Sequence, residues 1–235
     1  MKKIYGSILV IIFCFQLGAA QNKKVEDLEV KKGTLLFSDD FERTEIGNKW
    51  EIKEKFIGAF SIENGVLVSK EIKDAGHGSV TRAHFKYADV LIEFEFKFEG
   101  GKRFNIVMDD SNCKAVHAGH ISRVSFSKMG FTVQDDKTGS MNLKLRNEIK
   151  GDPKKKAEFK KMLASKKSIV KLKFEEGKFY HAVITKKNAV LQCEIDGKIA
   201  SIKSEGIAHP TLNKFGPTIT GGNILFDNFK IWEIE

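Results

Sequence analysis

Apolar and polar residues alternate in several short segments of this chain. The clearest segment is residues 92–98, where isoleucine and three phenylalanines occupy every second position and charged residues stand between them. Similar patterns occur at residues 170–174, 190–195 and 226–231, and a period of two is typical of β-strands with one buried face. Asp196-Gly197 stands between two such runs, which predicts a tight hairpin turn. The pattern therefore predicts an all-β protein with a dozen or more short strands in two antiparallel sheets.

One short helical insertion is predicted near residues 152–166. Asp152 can accept hydrogen bonds from the first free backbone N–H groups of a helix, and Pro153 suits the first helical position. The residues that follow form a short apolar stripe at helical spacing, namely Phe159, Met162 and Leu163. A surface helix packed across a sheet edge explains this stripe. A helix lying on a membrane surface is the alternative, but its apolar face is small for firm binding.

The N-terminal residues have the features of a secretory signal peptide. Two lysines precede an apolar run at residues 8–17, and small residues end at Ala20, where cleavage is predicted. The run is shorter than the roughly 20 residues that a membrane span needs, and no later segment is apolar enough to cross a membrane. We predict a signal peptide at 1–20, a charged leader at 21–34 and a single β-sandwich domain at 35–235. The mature protein is expected to be a periplasmic or secreted monomer.

Composition narrows the classes of partner. The chain carries 40 lysines and arginines against 31 acidic residues, a formal net charge of +9, and much of the excess lies at residues 150–173. A nucleic-acid surface would combine basic residues with interleaved aromatics and a binding motif. Neither is present, so a solvated lysine-rich face is the simpler interpretation and no nucleic-acid partner is predicted. The 19 phenylalanines predict a thick apolar layer between the two sheets.

Two cysteines, Cys113 and Cys193, remain after the predicted cleavage. An exported protein can form disulfides, but the sequence does not bring these two together, so two buried free thiols are the favoured prediction. Cys14 belongs to the predicted signal peptide. Phe13 before it does not suit a lipid-attachment site, so no lipid anchor is expected.

Candidate chemistry is concentrated at residues 104–136. This segment holds carboxylates, imidazoles and a guanidinium close together, namely Asp109, Asp110, His117, His120, Arg123, Asp135 and Asp136. The two histidines are three residues apart, which is a weak metal pattern because no third ligand is fixed; Asp110 or Asp136 could supply one. A sugar-binding or catalytic role and hydrogen-bonded structural histidines are the other two interpretations.

Motifs near the two ends of the chain resemble concanavalin A-like sandwich domains. They are Phe37-Ser38-Asp39-Asp40-Phe41, followed by Trp50, and Phe226-Asp227-Asn228-Phe229-Lys230-Ile231-Trp232. More specifically, the chain resembles the 3-keto-disaccharide hydrolase family, often labelled family 16 glycoside hydrolase-like, through the blocks at 117–124 and 206–211. The resemblance covers nearly all of residues 35–235 and implies a jelly-roll sandwich of two antiparallel sheets.

One departure separates the chain from true family 16 glycosidases. Those enzymes carry E-x-D-x-E, or the same motif with one inserted residue, whereas this chain has Glu93-Phe94-Glu95-Phe96-Lys97-Phe98. The third acid is missing. Because retaining hydrolysis needs a nucleophile and an acid/base about 5 Å apart, ordinary retaining glucanase chemistry from this strand is excluded.

The family resemblance implies a different activity, the cleavage of a 3-keto-glycoside by base-assisted elimination and hydration. Such chemistry needs a general base near C2 and a group that stabilises the enolate. The predicted catalytic residues are His117, His120, Arg123 and Asp110, and the predicted substrate-binding residues are His77, Glu95, Asn105 and Asp136. A non-catalytic carbohydrate-binding module on the same sandwich is the alternative function, and an interaction domain without a site is a third.

The sequence identifies no cofactor with certainty. Two residue pairs with side-chain oxygens, Asp39-Asp40 and Asp227-Asn228, could meet where the first and last strands of the domain pair. Hard oxygen ligands suit calcium, so a structural calcium ion is a further expectation there.

Overall fold

The computed structural model of the protein describes residues 28–235. Within this range the strands are β1 (Lys32–Asp39), β2 (Glu51–Ile52), β3 (Phe60–Glu63), β4 (Val66–Ser69), β5 (Ser79–Tyr87), β6 (Val90–Asp109), β7 (His120–Ser127), β8 (Gly130–Asp135), β9 (Lys167–Lys171), β10 (Phe179–Lys187), β11 (Val190–Ile195), β12 (Lys198–Lys203) and β13 (Leu212–Ile234). The α-helices are α1 (Leu143–Glu148) and α2 (Pro153–Ser165), and Glu54–Phe56 and His117–Gly119 form single 3-10 turns. The strand pairs are antiparallel, which confirms the predicted all-β class.

The strands β6 and β13 are long enough to belong to both layers of the sandwich. Residues 90–99 of β6 pair with β10 and the second half of β13, whereas residues 101–109 pair with β7 and the first half of β13. We call the layer β9-β8-β7-β6-β13-β5-β2 the front sheet. The layer β12-β11-β10-β6-β13, extended by β4-β3 and by β1, is the back sheet. The sequence predicts short strands, whereas β6 and β13 contain 20 and 23 residues.

Glycines allow these two strands to turn from one sheet into the other. Gly100 and Gly221 have positive φ angles of 84° and 91°, which residues with a side chain rarely adopt. A Cβ atom on Gly101 would lie only 2.3 Å from Cγ1 of Ile224. The strands can therefore cross closely at this corner, and each continues into the opposite layer without ending.

Phenylalanine side chains fill the space between the two sheets. Phe104 of the front sheet stacks on Phe126 at a ring-centroid distance of 4.4 Å and meets Phe96 and Phe226 of the back sheet at 5.0 Å each. All four rings are fully buried. Such ring contacts add about 0.5–1.5 kcal/mol each to the gain from burial. The predicted phenylalanine layer is confirmed as the centre of the core.

Both helices lie in the connection between β8 and β9. The longer helix, α2, begins as predicted, with the Asp152 carboxylate accepting from the N–H groups of Lys154 and Lys155 at 2.9 and 3.1 Å. The sequence predicts one helix, so α1 is an addition. Asn142 caps α1 by accepting from the N–H of Leu145 at 3.1 Å. Its six residues are too few to show a helical repeat in the sequence.

Only part of the predicted N-terminal segments lies within the described residues. The predicted signal peptide, with Cys14, and most of the predicted leader lie outside the described residues. β1 begins at Lys32, so residues 32–34 of the predicted leader belong to this strand, and Lys32 pairs with Ile234 of β13 in the back sheet. Between residues 28 and 235, no helix is long and apolar enough to cross a membrane.

The two cysteines of the described chain are free thiols as predicted, but only one of them is fully buried. Cys193 lies on β11 with its side chain in the core, and this burial raises the pKa of its thiol well above the ordinary value. Cys113 is half-buried in the connection between β6 and β7.

Asp39, at the end of β1, is buried and surrounded by donors. Burial alone would raise the pKa of its carboxyl, but hydrogen bonds from the Arg43 guanidinium and the Trp50 indole outweigh that effect and hold the pKa below its ordinary value. Arg43 bonds both oxygens, and Trp50 Nε1 donates to Oδ2 at 2.7 Å. These donors occupy the lone pairs that a calcium ion would need, so Asp39 does not fit as a ligand. For Asp40 and Asp227 the calcium ion stays a prediction.

We expect the Asp39 network to stabilise the fold by about 2 kcal/mol at neutral pH. Because the pKa of Asp39 is lower in the folded than in the unfolded chain, this contribution is fully present above the unfolded value of about 4 and is lost as the pH falls through the folded value. Asp39→Asn should lower the urea midpoint at pH 7, and the difference from wild type should narrow in acid. Trp50 fluorescence in a Trp232→Phe background measures unfolding around Asp39. If the difference in urea midpoint between Asp39→Asn and the wild type widened in acid, the stabilising role of the ionised Asp39 would be contradicted.

Candidate active site

A groove of about 410 Å³ crosses the outer face of the front sheet. Phe104, Ile106 and Met108 of β6 point into the core, so the residues that alternate with them face outward. The groove floor consists of these outward residues and of their neighbours across the sheet, namely Asn105, Val107 and Asp109 of β6, Arg82 of β5, Arg123 of β7 and Thr218 of β13. The loop before β5 adds His77, and the loop before β7 adds His117 on the opposite side.

Asp109 and His120 form the polar centre of the groove. Oδ1 of Asp109 lies 2.7 Å from Nδ1 of His120, and the Asp109 side chain is only 3% exposed. A carboxylate only accepts hydrogen bonds, so Nδ1 carries the hydrogen and the lone pair of the neutral ring is on Nε2. Nε2 has no hydrogen-bond partner among residues 28–235, and the side chain is 19% exposed. The pair thus presents an oriented base to the groove.

Arg82 holds the other oxygen of Asp109. Its Nε lies 3.4 Å from Oδ2 of Asp109. Its terminal nitrogens donate to the carbonyl oxygens of Thr81 and Pro217 at 2.8 Å and to Oγ1 of Thr218 at 3.0 Å. Burial lowers the pKa of the Arg82 guanidinium, and the charge of Asp109 partly opposes this effect. Arg82 is therefore a fixed counter-charge that keeps Asp109 in place.

A β-bulge in β7 brings His120 and Arg123 onto the same face of the front sheet. Regular alternation places residues three positions apart on opposite faces. The pairing of β7 with β6 skips Ile121, because its neighbours His120 and Ser122 face consecutive residues of β6. Ile121 is buried instead, and such an extra residue changes which side chains face outward. As a result His120 and Arg123 both line the groove.

Arg123 is held in the groove from behind by Asp136. Its Nε donates to Oδ2 of Asp136 at 2.5 Å. Asp136 is fully buried and also accepts from Nε2 of Gln134 at 2.7 Å and from Oγ of Ser140 at 2.9 Å. Asp136, a predicted substrate-binding residue, therefore lies behind the groove and positions Arg123. Nη2 of Arg123 has no hydrogen-bond partner among residues 28–235.

His117 faces His120 from the loop before β7. The centroids of the two rings are 6.3 Å apart. Burial lowers the pKa of His117, and the positive charge of Arg146, together with that of His120 when this ring is protonated, lowers it further. The His117 ring is therefore neutral at neutral pH, so one of its nitrogens donates a hydrogen bond and the other accepts one.

The turn that carries His117 requires glycine at position 119. Gly119 has a φ angle of 80°, and a Cβ atom there would lie 2.5 Å from the carbonyl oxygen of Asp110. We expect Gly119→Ala to destabilise the fold by about 1–3 kcal/mol. The matched control is Gly177→Ala, because Gly177 has a similar φ of 77° but no atom within 4 Å of the added Cβ. Urea denaturation measures the free energy of unfolding of the two variants. An equal loss of stability in both would show that the contact with Asp110 is unimportant.

The structure also brings two predicted substrate-binding residues to the groove. Nε2 of His77 lies 2.8 Å from Nζ of Lys55, and the His77 ring meets Phe56 edge-on at 5.3 Å. Asn105 is on the floor, and its Oδ1 accepts from Oγ of Ser125 at 2.6 Å. Both side chains can therefore contact a ligand bound beside His120.

Two other predicted site residues do not line the groove. Asp110 contacts the connection before β13, where its Oδ2 lies 2.8 Å from Nε2 of His209 and its Oδ1 accepts from Asn213 at 3.1 Å. Burial would raise the pKa of Asp110, but the bond with His209 outweighs it and the pKa is lowered. Glu95 lies on the outer face of the back sheet and accepts from Asn228 at 3.1 Å, so the whole sandwich separates it from His120.

The described residues do not form a metal centre in the groove. Nowhere between residues 28 and 235 do three His, Cys, Asp or Glu side chains lie in an arrangement that could hold a metal ion. Asp110 and Asp136, which the sequence offers as third ligands for the histidine pair, direct their oxygens to other partners.

Asp109 and Arg82 orient His120, but neither is among the predicted catalytic or substrate-binding residues. Asp109 belongs to the predicted cluster, and continuing the alternation of β6 from Phe104 assigns it to the outer face together with Asn105. Arg82 gives no such signal, because it lies 27 positions from Asp109 in the sequence and only the sheet pairing brings it there.

No protein-family model matches this chain, and no curated protein matches it. Among solved structures, a non-specific endo-β-1,3(4)-glucanase from glycoside hydrolase family 16 aligns with a TM-score of 0.60 and 12% identity over 89% of this chain and 95% of that chain. The laminarinase from Flavobacterium sp. UMI-01 has a TM-score of 0.57 and 12% identity over 85% and 100%. The endo-β-1,3-glucanase from Pyrococcus furiosus has a TM-score of 0.55 and 14% identity over 89% and 99%. These similarities show the fold, a concanavalin A-like jelly roll.

Proposed function

We propose that the protein is a carbohydrate-active enzyme that cleaves a 3-keto-glycoside by base-assisted elimination and hydration. The observation that carries the proposal is the His120 imidazole, oriented by Asp109 in an open groove. The fold supports a carbohydrate ligand, since structures that share it are described as glucanases and laminarinases. We further propose that the protein acts after export, as the signal-peptide pattern at residues 1–20 predicts.

The carboxylates of the groove do not suit a double-displacement glycosidase. Glu51 and Asp109 are the acids among its lining residues. Oε2 of Glu51 lies 2.6 Å from Nε2 of His84, and this hydrogen bond lowers the pKa of Glu51. Asp109 is bonded to His120 and Arg82. Retaining hydrolysis needs one carboxylate as nucleophile and a second as acid/base, so proton abstraction by imidazole is favoured.

The first proposed step is removal of the C2 proton of a sugar whose C3 is a ketone. Nε2 of His120 takes this proton, and the electrons of the C2–H bond form an enolate on the C3 oxygen. These electrons then form the C1=C2 double bond as the bond from C1 to the glycosidic oxygen breaks. The leaving alkoxide takes up a proton from water, the protonated His120 returns its proton to the solvent, and a water molecule adds its hydroxyl to C1 and a hydrogen to C2. The sum is hydrolysis without any net oxidation.

Positively charged side chains of the groove can stabilise the enolate that forms between these steps. Arg123 lies on the same face as His120 and is fixed by Asp136, so its charge is in place before the reaction and needs no reorganisation. Lys214 also lines the groove and has no ion-pair partner among residues 28–235. The neutral His117 is positioned to hydrogen-bond the leaving oxygen or the attacking water.

The test is turnover of 3-keto-trehalose in deuterated water, with trehalose as the unoxidised control and with and without a chelator. We expect cleavage of the keto sugar alone and deuterium at C2 of the product, after correction for exchange without protein. A product that keeps its original C2 hydrogen would overturn elimination in favour of direct hydrolysis. Binding of the keto sugar without turnover would overturn the proposal that the protein is an enzyme, and it would support a carbohydrate-binding module.

A further inference from the structure

The front sheet carries a second hollow of about 410 Å³ beside the groove, and we call it the lateral hollow. It lies over β6, β7, β8 and β9. Asn105 lines the groove and Ser125 lines the lateral hollow, and the hydrogen bond that joins them is 2.6 Å long. A ligand can therefore extend from His120 across this pair into the lateral hollow.

Short side chains make the floor of the lateral hollow. The strand register places Ser125 beside Thr132 and Ser127 beside Gly130. Their neighbours on β9 are the longer residues Ile169 and Lys171. The sheet surface is therefore recessed in the middle and bordered by long side chains. Its hydroxyl groups can bond the hydroxyls of a sugar.

Three cations border the lateral hollow, and its lining contains no carboxylate. Arg103 stands on β6, and Lys167 and Lys171 stand on β9; all three are exposed. None of them forms a salt bridge with any residue from 28 to 235. Arg103 and Lys171 are separated by three strand spacings, about 14 Å, so the cations are distributed around the hollow and are not one local cluster.

Apolar groups accompany these charges. Met129 and Ile169 line the lateral hollow and are 67% and 60% exposed. Exposed aliphatic side chains suit the C–H face of a pyranose ring, and unpaired cations suit an anionic substituent. Single-stranded nucleic acids are usually bound by stacking bases on aromatic rings. The one aromatic residue of the lining, Phe126, is fully buried, so the surface favours an acidic sugar.

We propose that the lateral hollow is a subsite for acidic sugar units, carrying carboxylate or sulfate groups, of the glycan that reacts beside His120. The inference rests on the proposed function in placing the reacting unit of that glycan in the groove. It implies an oligosaccharide longer than the disaccharide suggested by the family resemblance. Three further lysines of the groove without ion pairs, Lys53, Lys55 and Lys214, extend the same preference along the ligand.

The experiment measures equilibrium binding and needs no turnover, so it is independent of the proposed reaction. The probes are hexagalacturonate, a sulfated hexasaccharide, neutral laminarihexaose and a single-stranded deoxyoligonucleotide of equal charge, titrated calorimetrically at about 150 mM salt. The test variant carries Arg103→Gln, Lys167→Gln and Lys171→Gln. The matched control removes three exposed cations of the back sheet, through Lys198→Gln, Lys203→Gln and Lys230→Gln.

We expect at least one acidic hexasaccharide to bind more tightly than laminarihexaose. The test variant should lose about tenfold in this affinity, and the control variant less than about twofold. The acidic probe that binds better identifies carboxylate or sulfate as the recognised group. Three results would overturn the subsite. They are an equal loss of affinity in the test and control variants, an affinity for laminarihexaose equal to that for the acidic sugars, and an affinity for the oligonucleotide as high as that for the acidic sugars. Failure of 3-keto-trehalose turnover together with the expected binding pattern would overturn the reaction alone.

Discussion

His120→Ala should reduce the turnover of 3-keto-trehalose by about 10²–10⁴-fold, the contribution typical of a positioned general base. The affinity for the sugar should stay within about twofold, because the imidazole acts on a proton and the remaining groove residues still bind the ring. The measurement is kcat and KM for sugar release, together with deuterium incorporation at C2. The loss should appear in kcat, and residual product should show slower incorporation of deuterium.

The back sheet offers a matched control for this variant. His181 lies on β10, exposed on the outer face away from the groove and beside Glu95 in the strand register. His181→Ala removes the same ring without touching the site, so its kcat should equal that of the wild type. Turnover by His120→Ala within about threefold of the wild type would remove His120 as the base.

The position of His120 shows why the sequence predicts its importance but not its partners. Alternation along β7 assigns His120 and Arg123 to opposite faces, because they are three residues apart. The bulge at Ile121 reverses this assignment. A bulge depends on the pairing with β6 and on the turn at Gly119, and neither is visible in hydrophobic periodicity. The sequence therefore predicts which residues have the chemistry of an active site. Which of them share one face of the sheet can be known only from the strand pairing.

Glu95 and Asn105 show a second limit of sequence reasoning. Both belong to β6, and ten residues of regular alternation would place them on one face of one strand. The corner at Gly100 and Gly101 directs the two halves of β6 into different sheets, so the same outward direction leads to opposite surfaces of the sandwich. The alternating pattern predicts strands and core correctly because burial alone determines it. Assignment to the front or back sheet depends on where a continuous strand bends.

Asp109→Asn should combine a loss of stability with a loss of activity. Asp109 is the carboxylate paired with the buried Arg82 in the described chain, and removing one partner of a buried ion pair destabilises a protein by about 3–5 kcal/mol. The three neutral acceptors of Arg82 remain, so we expect a value near the lower end, about 3 kcal/mol. Urea denaturation at pH 7 measures it.

The same substitution also separates stability from catalysis. An asparagine can donate its amide hydrogen to Nδ1 of His120, which would move the ring hydrogen to Nε2 and remove the base from the groove. Turnover should therefore fall by about 10²–10⁴-fold. Adding Arg82→Gln to Asp109→Asn removes the unpaired charge and should restore part of the stability but none of the activity. Recovery of both in the double variant would show that Asp109 acts only through the fold, and an unchanged kcat in Asp109→Asn would show that His120 needs no orienting carboxylate.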